Sequence, residues 1–445
     1  MTAAFASNSS AVAAGSTSPV QPMHEFVREL YPICRSITGN GLRETLRRIG
    51  ERIPLQTHEV PSGTQVFDWT VPKEWTIRDA YIKNSRGQKV VDFHKSNLHV
   101  VNYSVPVNRK MSLGELKAHL HTLPQHPEWI PYRTSYYRES WGFCLSQREF
   151  DALLEDEYEV IIDSTLENGS LTYAECVLEG ETRDEILISC HCCHPSLCND
   201  NLSGIAVAVS LAQAVATFPR RYTYRFVFLP GTIGSITWLC RNEDSLSRIK
   251  HGLVLACLGD RGTLSYKKSR QGNAEIDRVV AQLLAETGGR GNVREFSPYG
   301  YDERQYCSPA FNLPVGCLNR TPHGEFPEYH TSADDLDFVG EEALAQTVSF
   351  CLAVFAFLES NRTYRNLNPK CEPQLGKRGL YRELGGHADA EKQELARLWM
   401  LNLSDGEHSL LDIVERSKMP FEAIRTAAAD LQGHGLLALV REGAL

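Results

Sequence analysis

The segment Glu185-Ile-Leu-Ile-Ser-Cys-His191-Cys-Cys-His194-Pro-Ser-Leu-Cys-Asn-Asp200-Asn-Leu-Ser-Gly204 decides the fold of this chain. Its apolar run predicts a short strand that ends at His191, followed by a proline-containing loop and a helix that begins at Asp200 to Gly204. A histidine and a carboxylate therefore meet at the carboxyl edge of a sheet, where open α/β folds hold ligands. Imidazole and carboxylate are good zinc ligands, so the segment predicts a catalytic metal site. The alternative is a buried thiol-rich turn with a capping aspartate.

Length and composition limit the class of protein. The 445 residues predict two or three domains, and no apolar run is expected to be long enough to span a bilayer. The net charge of −9 argues against a general nucleic-acid binder. The Ala- and Ser-rich residues 1–22 are typical of a disordered tail rather than a signal peptide. Thirteen cysteines without a signal peptide favour a reducing compartment, so we expect a cytoplasmic protein.

The cysteines beside His191 do not form the paired C-x-x-C sets of a structural zinc ribbon. Cys192 and Cys193 are adjacent, so they point differently and rarely share one ion. We expect these thiols, together with Cys190 and Cys198, to be packing residues rather than ligands.

A β-rich region follows an N-terminal helical segment. Strands are predicted at 65–71, 80–84, 89–93 and 98–105, and residues 59–149 are interpreted as a small β subdomain inserted into the main domain of residues 23–58 and 150–370. Trp69 and Trp75 lie in this region. Both are predicted to be core residues, with a substrate wall as the alternative.

The main domain alternates strands with helices. Strands are predicted at 158–163, 171–177, 185–190, 224–229, 251–257 and 315–318, and helices at 203–216, from about 233, and at 276–286. This alternation predicts an α/β fold with a mostly parallel, twisted sheet flanked by helices on both faces.

Residues 385–445 are predicted to form a winged helix-turn-helix domain. Its second helix, Pro420 to Gly433, carries one arginine against Glu422 and Asp430. Phosphate binding needs clustered lysine and arginine, so we expect a protein-contact module and no nucleic-acid partner.

Four candidate metal ligands lie in loops that follow predicted strands. They are His191, Asp200, Asp260 and His330. Asp334 or Asp335 could orient the His330 ring by hydrogen bonding, as metal-bound imidazoles usually require. One such loop is weak evidence, but four in order on a parallel sheet predict a metal centre.

The chain resembles the co-catalytic zinc aminopeptidases, whose fold glutaminyl cyclases share. More closely, it resembles a cytoplasmic group of aminopeptidase-like proteins with an inserted β subdomain and a C-terminal winged helix, often loosely described as polysaccharide-biosynthesis associated. The motifs that carry this likeness are Ser36-Ile-Thr-Gly39, His191-x-Cys193-His194-Pro195-Ser196, Asp200-Asn201-x-Ser203-Gly204, Gly300-Tyr-Asp-Glu-Arg-Gln-Tyr306 and Glu328-Tyr-His-Thr-Ser-Ala-Asp334. The resemblance implies a phosphorylase/hydrolase-like aminopeptidase fold.

The resemblance also implies a zinc cofactor, with one ion or two. His191, Asp200 and Asp260 match the ligands of one zinc, with Asp200 as a bridge, and Asp200 and His330 match two of the three ligands of a second. The family places a Glu-Glu pair next, as base and ligand. Here Pro230-Gly-Thr-Ile-Gly-Ser235 contains no carboxylate, so the second ion lacks a ligand and the usual base is missing.

Replacement carboxylates occur in Asp302-Glu303-Arg304 and at Glu325 and Glu328. Glu303 is the first candidate for the general base, with Asp302 beside it, and Arg304 could clamp a substrate carboxylate. The alternative for this triplet is a surface ion-pair cluster. Within the matched motifs, the remaining candidates for substrate contact are Tyr306, Tyr329 and His194.

These observations predict a zinc-dependent hydrolase of aminopeptidase type that acts on an amide bond of a small peptide or amino-acid conjugate. The alternatives are cyclisation or another acyl transfer at the same metal, or a catalytically silent binding or scaffold protein. We also expect a homo-oligomer and no membrane partner.

Overall fold

The computed structural model describes residues 21–288, 291–380 and 388–440. These residues form two compact units, one of residues 21–277 with 291–351 and the other of residues 278–288 with 352–380 and 388–440. Two of the boundaries between the units thus lie within helices, Glu275–Glu286 and Glu341–Ser360, rather than in a linker.

Strands and helices are labelled here in chain order. The strands are β1 Gln56–Pro61, β2 Gln65–Val66, β3 Trp69–Thr70, β4 Glu74–Lys83, β5 Lys89–Asp92, β6 Val107–Ser112, β7 Leu120–His121, β8 Phe143–Cys144, β9 Glu157–Glu167, β10 Ser170–Leu178, β11 Glu185–His191, β12 Thr223–Leu229, β13 Ile249–Leu255, β14 Leu264–Lys267, β15 Gly291–Arg294, β16 Val315–Asn319, β17 Thr363–Asn366, β18 Asp405–Ser409 and β19 Leu437–Leu439. The helices are α1 Gln21–Leu30, α2 Asn40–Gly50, α3 Leu113–Leu116, α4 Gln147–Asp151, α5 Gly204–Val215, α6 Ile233–Asn242, α7 Glu275–Glu286, α8 Glu303–Tyr306, α9 Glu341–Ser360, α10 Ala388–Leu403, α11 Leu410–Ser417 and α12 Phe421–Gly433.

An eight-stranded sheet, in the order β1-β10-β12-β11-β13-β16-β14-β15, organises the first unit. Its centre, β12-β11-β13-β16, is parallel, while β1, β10 and β14 add antiparallel pairings. Every residue of β11 is buried, as a strand covered on both faces requires. The predicted α/β fold with a mostly parallel sheet is therefore confirmed, and the carboxyl ends of β11 and β13 lie side by side.

A second sheet, in the order β5-β4-β9-β6, is built largely from the region predicted as an insertion. The structure differs from the sequence prediction here, because β9 pairs with β4 and β6 and so extends this sheet beyond residue 149. The strand predicted at 98–105 is wrong. Asn97–His99 forms a 3-10 helix capped by Ser96, and Tyr103 has a φ of +72°, which breaks an extended chain.

The second unit contains α10, α11 and α12 with a three-stranded sheet in the order β18-β17-β19. The rings of Phe357 and Phe421 stack at 3.6 Å, and Leu411, Ile413 and Ile424 are buried. The strand β17 lies upstream of the predicted boundary at residue 385. The tail after α12 contributes β19, which pairs with β17.

The helix α9 corrects the expectation that no apolar run could span a bilayer. By length and composition alone this 20-residue helix is apolar enough to cross a membrane, and 50% of its apolar window is buried within the protein. The core helices of soluble proteins can be equally long and apolar, so these properties do not show whether α9 crosses a membrane.

Candidate metal centre

Three imidazoles converge on one buried carboxylate. The side chain of Asp200 is fully buried, with its Oδ1 atom 2.8 Å from His191 Nε2 and its Oδ2 atom 3.0 Å from His330 Nε2. His194 Nε2 lies 3.8 Å from the same Oδ2 atom. His191 ends β11, Asp200 lies in the turn before α5, and His330 comes from the loop before α9. The structure thus brings together three of the four predicted ligands and adds His194, which was predicted to contact substrate.

The Asp200-Asn201-x-Ser203-Gly204 motif ties the loops of this centre together. Asn201 Nδ2 donates to the backbone oxygens of Leu255 at 3.0 Å and His191 at 3.2 Å, and Asn201 Oδ1 accepts from the Cys257 amide at 3.2 Å. The amide side chain therefore joins the ends of β11 and β13. A Cβ atom on Gly204 would lie 2.5 Å from Asn201 Oδ1, so only glycine fits beside it.

Asp334 positions Asp200, which corrects the prediction that it orients His330. Its carboxylate accepts the backbone amides of Asn199 at 2.5 Å and Asp200 at 2.9 Å, and burial raises the pKa of Asp334 to about 8. Asp335 accepts from the amides of Asp337 and Phe338 instead. Neither carboxylate is bonded to His330.

Arg35 and Tyr132 support the histidines, and sequence reasoning missed both. Arg35 is buried and donates to the backbone oxygens of His194 at 2.7 Å, Pro195 at 2.8 Å and Leu30 at 2.6 Å. Burial lowers the pKa of Arg35 to about 10. Tyr132 presents its ring edge-on to His194 and His330. The position of Arg35 just before the Ser36-Ile-Thr-Gly39 motif was the available signal.

The charges favour ionised Asp200. Burial would raise the pKa of Asp200, but the neighbouring imidazoles of His194, His191 and His330 hold it well below its usual value. Burial also opposes a charged His191, yet the contact with Asp200 outweighs this and raises the pKa of His191. Burial lowers the pKa of His194 to about 3. Ionised Asp200 and neutral His194 are thus in the protonation states that a metal ion requires, whereas His191 would have to release its proton to bind one.

The donor set fits a divalent ion of the zinc type. Tetrahedral ligands with bonds of about 2.0–2.1 Å lie about 3.4 Å apart, and the separations at Asp200 run from 2.8 to 3.8 Å. Ligand atoms of His191, His194 and Asp200 lie within 4.8 Å of one another. Nitrogen and carboxylate oxygen donors of this kind are those that zinc takes.

Asp260 is not part of the cluster, and this corrects the predicted ligand set. Its Oδ1 atom accepts from the Thr321 hydroxyl and the Gly262 amide, both at 2.7 Å. Its Oδ2 atom accepts from Asn199 Nδ2 at 3.0 Å and the Thr321 amide at 3.1 Å. Because each of its two oxygens accepts two hydrogen bonds, the Asp260 carboxylate holds the surrounding loops together.

The Asp302-Glu303 pair divides into a cleft residue and a buried ion pair. Asp302 Oδ1 accepts from the Thr232 amide at 2.7 Å and the Ser235 hydroxyl at 2.9 Å, and burial raises the pKa of Asp302. Glu303 is fully buried and paired with Lys267, whose ammonium also donates to the Tyr299 carbonyl at 2.9 Å. Glu303 does not line the cleft described below. This position does not suit Glu303 as the general base, whereas Asp302, the other predicted catalytic carboxylate, lines the cleft.

Two predicted substrate contacts also lie elsewhere. Tyr306 is fully buried and its hydroxyl lies 2.8 Å from that of Ser189, so it is a core residue. Arg304 donates to the Thr232 hydroxyl at 3.3 Å and does not line the cleft. A direct clamp on a substrate carboxylate is therefore not seen.

A cleft of about 350 Å³ opens beside the cluster. It is lined by Ile37, Trp69, Tyr136, Tyr137, His191, Cys193, His194, Gly231, Thr232, Ile233, Gly300, Tyr301, Asp302 and Tyr329. Trp75 is core as predicted, whereas Trp69 is 40% exposed and forms part of the wall. Cys193, predicted to be a packing residue, also reaches the cleft, where its sulfur accepts the Gly231 amide at 3.2 Å. Tyr329 lines the cleft and stacks on His330 at 3.9 Å.

Fold and site together define an aminopeptidase-like α/β protein with a histidine–carboxylate centre that could hold a metal ion. The chain belongs to the family described as "Domain of unknown function (DUF4910)", whose model matches residues 24–361, and residues 362–439 match a winged helix-turn-helix model. The predicted winged helix is therefore confirmed, with an earlier start than residue 385.

Known relatives agree with this assignment. A Clostridium acetobutylicum protein, described as a candidate polysaccharide biosynthesis protein with an aminopeptidase-like domain, is 55% identical over 418 residues, or 94% of this chain and 96% of the relative. The crystal structure of a candidate peptidase from the same organism has a TM-score of 0.90 at 53% identity, over 95% of this chain and 96% of that one. A zinc aminopeptidase from Bacillus subtilis has a TM-score of 0.56 at 11% identity, over 77% and 95%. The predicted resemblance to zinc aminopeptidases is confirmed in the fold.

Proposed function

We propose that this protein is a zinc-dependent hydrolase of the aminopeptidase type that cleaves an amide bond in a small peptide or amino-acid conjugate. The observation that carries the proposal is the convergence of His191, His194 and His330 on buried Asp200 beside an aromatic cleft. The relatives with the same fold support the class of reaction.

One ion, rather than two, suits these residues. His191, His194, Asp200 and His330 would hold it, and a bound zinc ion supplies Lewis acidity and lowers the pKa of water. The remaining predicted ligand, Asp260, is already bonded to Thr321 and Asn199. The chain therefore offers a second ion few free ligands.

Asp302 is the proposed general base. It lines the cleft together with His191 and His194, and its Oδ1 atom is held by Thr232 and Ser235, which leaves Oδ2 for the cleft. Burial raises the pKa of Asp302, which makes its carboxylate a better proton acceptor than that of an ordinary aspartate. These two hydrogen bonds would fix its orientation during proton transfer.

A Cβ atom at Gly231 would lie 3.5 Å from Cys193 Sγ and 3.7 Å from His191 Cβ, which are ordinary contact distances that leave room for a side chain. The site differs from that of ordinary aminopeptidases because residues 230–235 carry no carboxylate. We therefore expect very low turnover of simple aminoacyl anilides.

Metal content and product mass together test the proposal. Zinc measured by elemental analysis should be near one ion per wild-type chain and should fall strongly in Asp200→Ala. The matched control is Asp260→Asn, which alters a buried carboxylate outside the cluster and should keep the metal. A metabolite mixture incubated with wild type should yield products that have gained water. Equal zinc in all three proteins, or products that lose water or ammonia, would contradict this function.

Three further properties are proposed: a location in a reducing compartment, a C-terminal domain that does not bind nucleic acid, and assembly into a homo-oligomer. All thirteen cysteines are free, which supports a reducing compartment such as the cytoplasm. On α12, Arg425 pairs with Glu422, which supports a contact module without affinity for nucleic acid. Sub-micromolar binding to duplex DNA at physiological salt would contradict it. Association into a homo-oligomer can be checked by light scattering.

A further inference from the structure

Two exposed aromatic side chains stand at the cleft. Trp69 is 40% exposed and Tyr137 is 53% exposed, and their rings meet edge to face with centroids 5.5 Å apart. Both line the cleft, yet neither belongs to the eight-stranded sheet, because Trp69 lies on the short β2-β3 hairpin and Tyr137 in the loop before β8. Large apolar rings left in water beside a cleft are typical of a binding surface.

The backbone at this cleft is held in an unfavourable conformation. Tyr137 has a φ of +62° and Thr232, also a lining residue, has a φ of +63°. Residues with a side chain rarely adopt such angles, and when they do they cluster at ligand sites. His330, one of the histidines at Asp200, has a φ of +57°. The strain therefore falls on both the wall and the metal centre.

Two of the hydroxyl groups in the wall are bonded within the protein. The Tyr136 hydroxyl lies 3.0 Å from that of Tyr132, and the Tyr301 hydroxyl lies 2.9 Å from Cys257 Sγ. These two rings thus offer carbon surface rather than free hydroxyls. No lysine or arginine occurs among the described residues that line the cleft, so no side chain of fixed positive charge is present to match an anionic group. A sugar needs many hydrogen-bond partners, whereas a flat apolar ring needs only such surface.

We propose that the cleft selects amides that carry an aromatic ring, with Trp69 and Tyr137 contacting the ring and Asp302 and the histidines facing the amide. The identity of the amide as substrate rests on the proposed function, but ring binding can be measured without turnover. Trp69 and Tyr137 thus determine specificity, and neither takes part in the chemistry.

A binding titration tests this inference. The zinc-loaded, full-length protein is titrated with phenylalaninamide, alaninamide and N-acetylglucosamine by ligand-observed NMR. The aromatic amide should bind about tenfold more tightly than the alanine amide, as expected for one added ring stacking in an aromatic site. Trp69→Ala should abolish most of this preference, while Trp69→Phe should keep most of it. Trp129→Ala, which removes a half-buried tryptophan outside the cleft, is the matched control and should retain it.

Mass spectrometry of the same samples separates the two proposals. Ring-selective binding without hydrolysis would leave the inference standing and would count against the proposed function. Hydrolysis with equal affinity for both amides would support the proposed function and would contradict the inference. Tighter binding of N-acetylglucosamine, no detectable binding of the aromatic amide, or an unchanged preference in a folded, zinc-containing Trp69→Ala protein would overturn the inference.

Discussion

Acid should destabilise the wild-type protein more than a His251→Gln variant. His251 lies on β13 and is 3% exposed, with its ring edge-on to Tyr222 and its Nε2 atom 3.2 Å from the Tyr222 hydroxyl. Burial, together with the positive charges of Arg221 and Lys250, lowers the pKa of His251 to about 3. The folded protein therefore holds this imidazole uncharged.

The magnitude follows from the difference between the folded and unfolded states. In the unfolded chain histidine has a pKa of about 6.5. Below that pH the His251 imidazole binds a proton in the unfolded chain but not in the folded protein. The free energy of unfolding therefore falls as the pH decreases toward about 3. Each pH unit in this window removes about 1.4 kcal/mol, and the step from about pH 7 to about pH 5 removes about 2 kcal/mol. Above the unfolded pKa the contribution no longer changes.

Urea unfolding followed by near-ultraviolet circular dichroism, with metal chelated throughout, measures this difference. Between about pH 7 and about pH 5 the wild type should lose about 2 kcal/mol more than His251→Gln. His94→Gln, which replaces an exposed histidine, controls for the loss of an imidazole. Equal losses in wild type and His251→Gln would refute the reasoning, because the buried histidine would then take up its proton without unfolding.

Three further outcomes are expected. His194→Ala should lose zinc while Asp260→Asn retains it, which elemental analysis decides, and the opposite pattern would restore Asp260 as a ligand. Asp302→Asn should keep zinc but lower kcat on the true substrate by about 10²–10⁴-fold, and an unchanged rate would exclude it as the base. Gly204→Ala should cost about 1–3 kcal/mol of stability in chemical denaturation, since its Cβ would meet Asn201 Oδ1 at 2.5 Å, and wild-type stability would show that the loop gives way.

The sequence predicted those parts of the fold that depend on local pattern. The apolar run before His191 and the alternation of strands with helices led to the parallel sheet, because burial on both faces leaves a continuous apolar signature. The strand β9 has the same signature but joins the other sheet, since its partners β4 and β6 are set by tertiary contacts. A run of apolar residues predicts a buried strand but does not predict the sheet to which that strand belongs.

The site shows the same limit. His191, Asp200 and His330 are marked by motifs, and each lies in the cluster. Asp260 matched a motif equally well, but its orientation is set by Thr321, which is 61 positions away in the chain. His194 needs Arg35 to hold its loop, 159 positions away. The spacing of residues along the chain does not show which carboxylate oxygens accept hydrogen bonds from residues that are distant in sequence.

The placement of Trp69 on the β2-β3 hairpin has a consequence for how this family can change over time. The cluster of His191, His194, Asp200 and His330 lies beyond the carboxyl end of β11, and Asn201, Asp334 and Arg35 hold its loops together. The hairpin shares none of these bonds. Substitutions in the hairpin can change the aromatic wall of the cleft one residue at a time without disturbing the bonds that hold the cluster, so relatives with the same cluster are free to differ in the ligands that they bind.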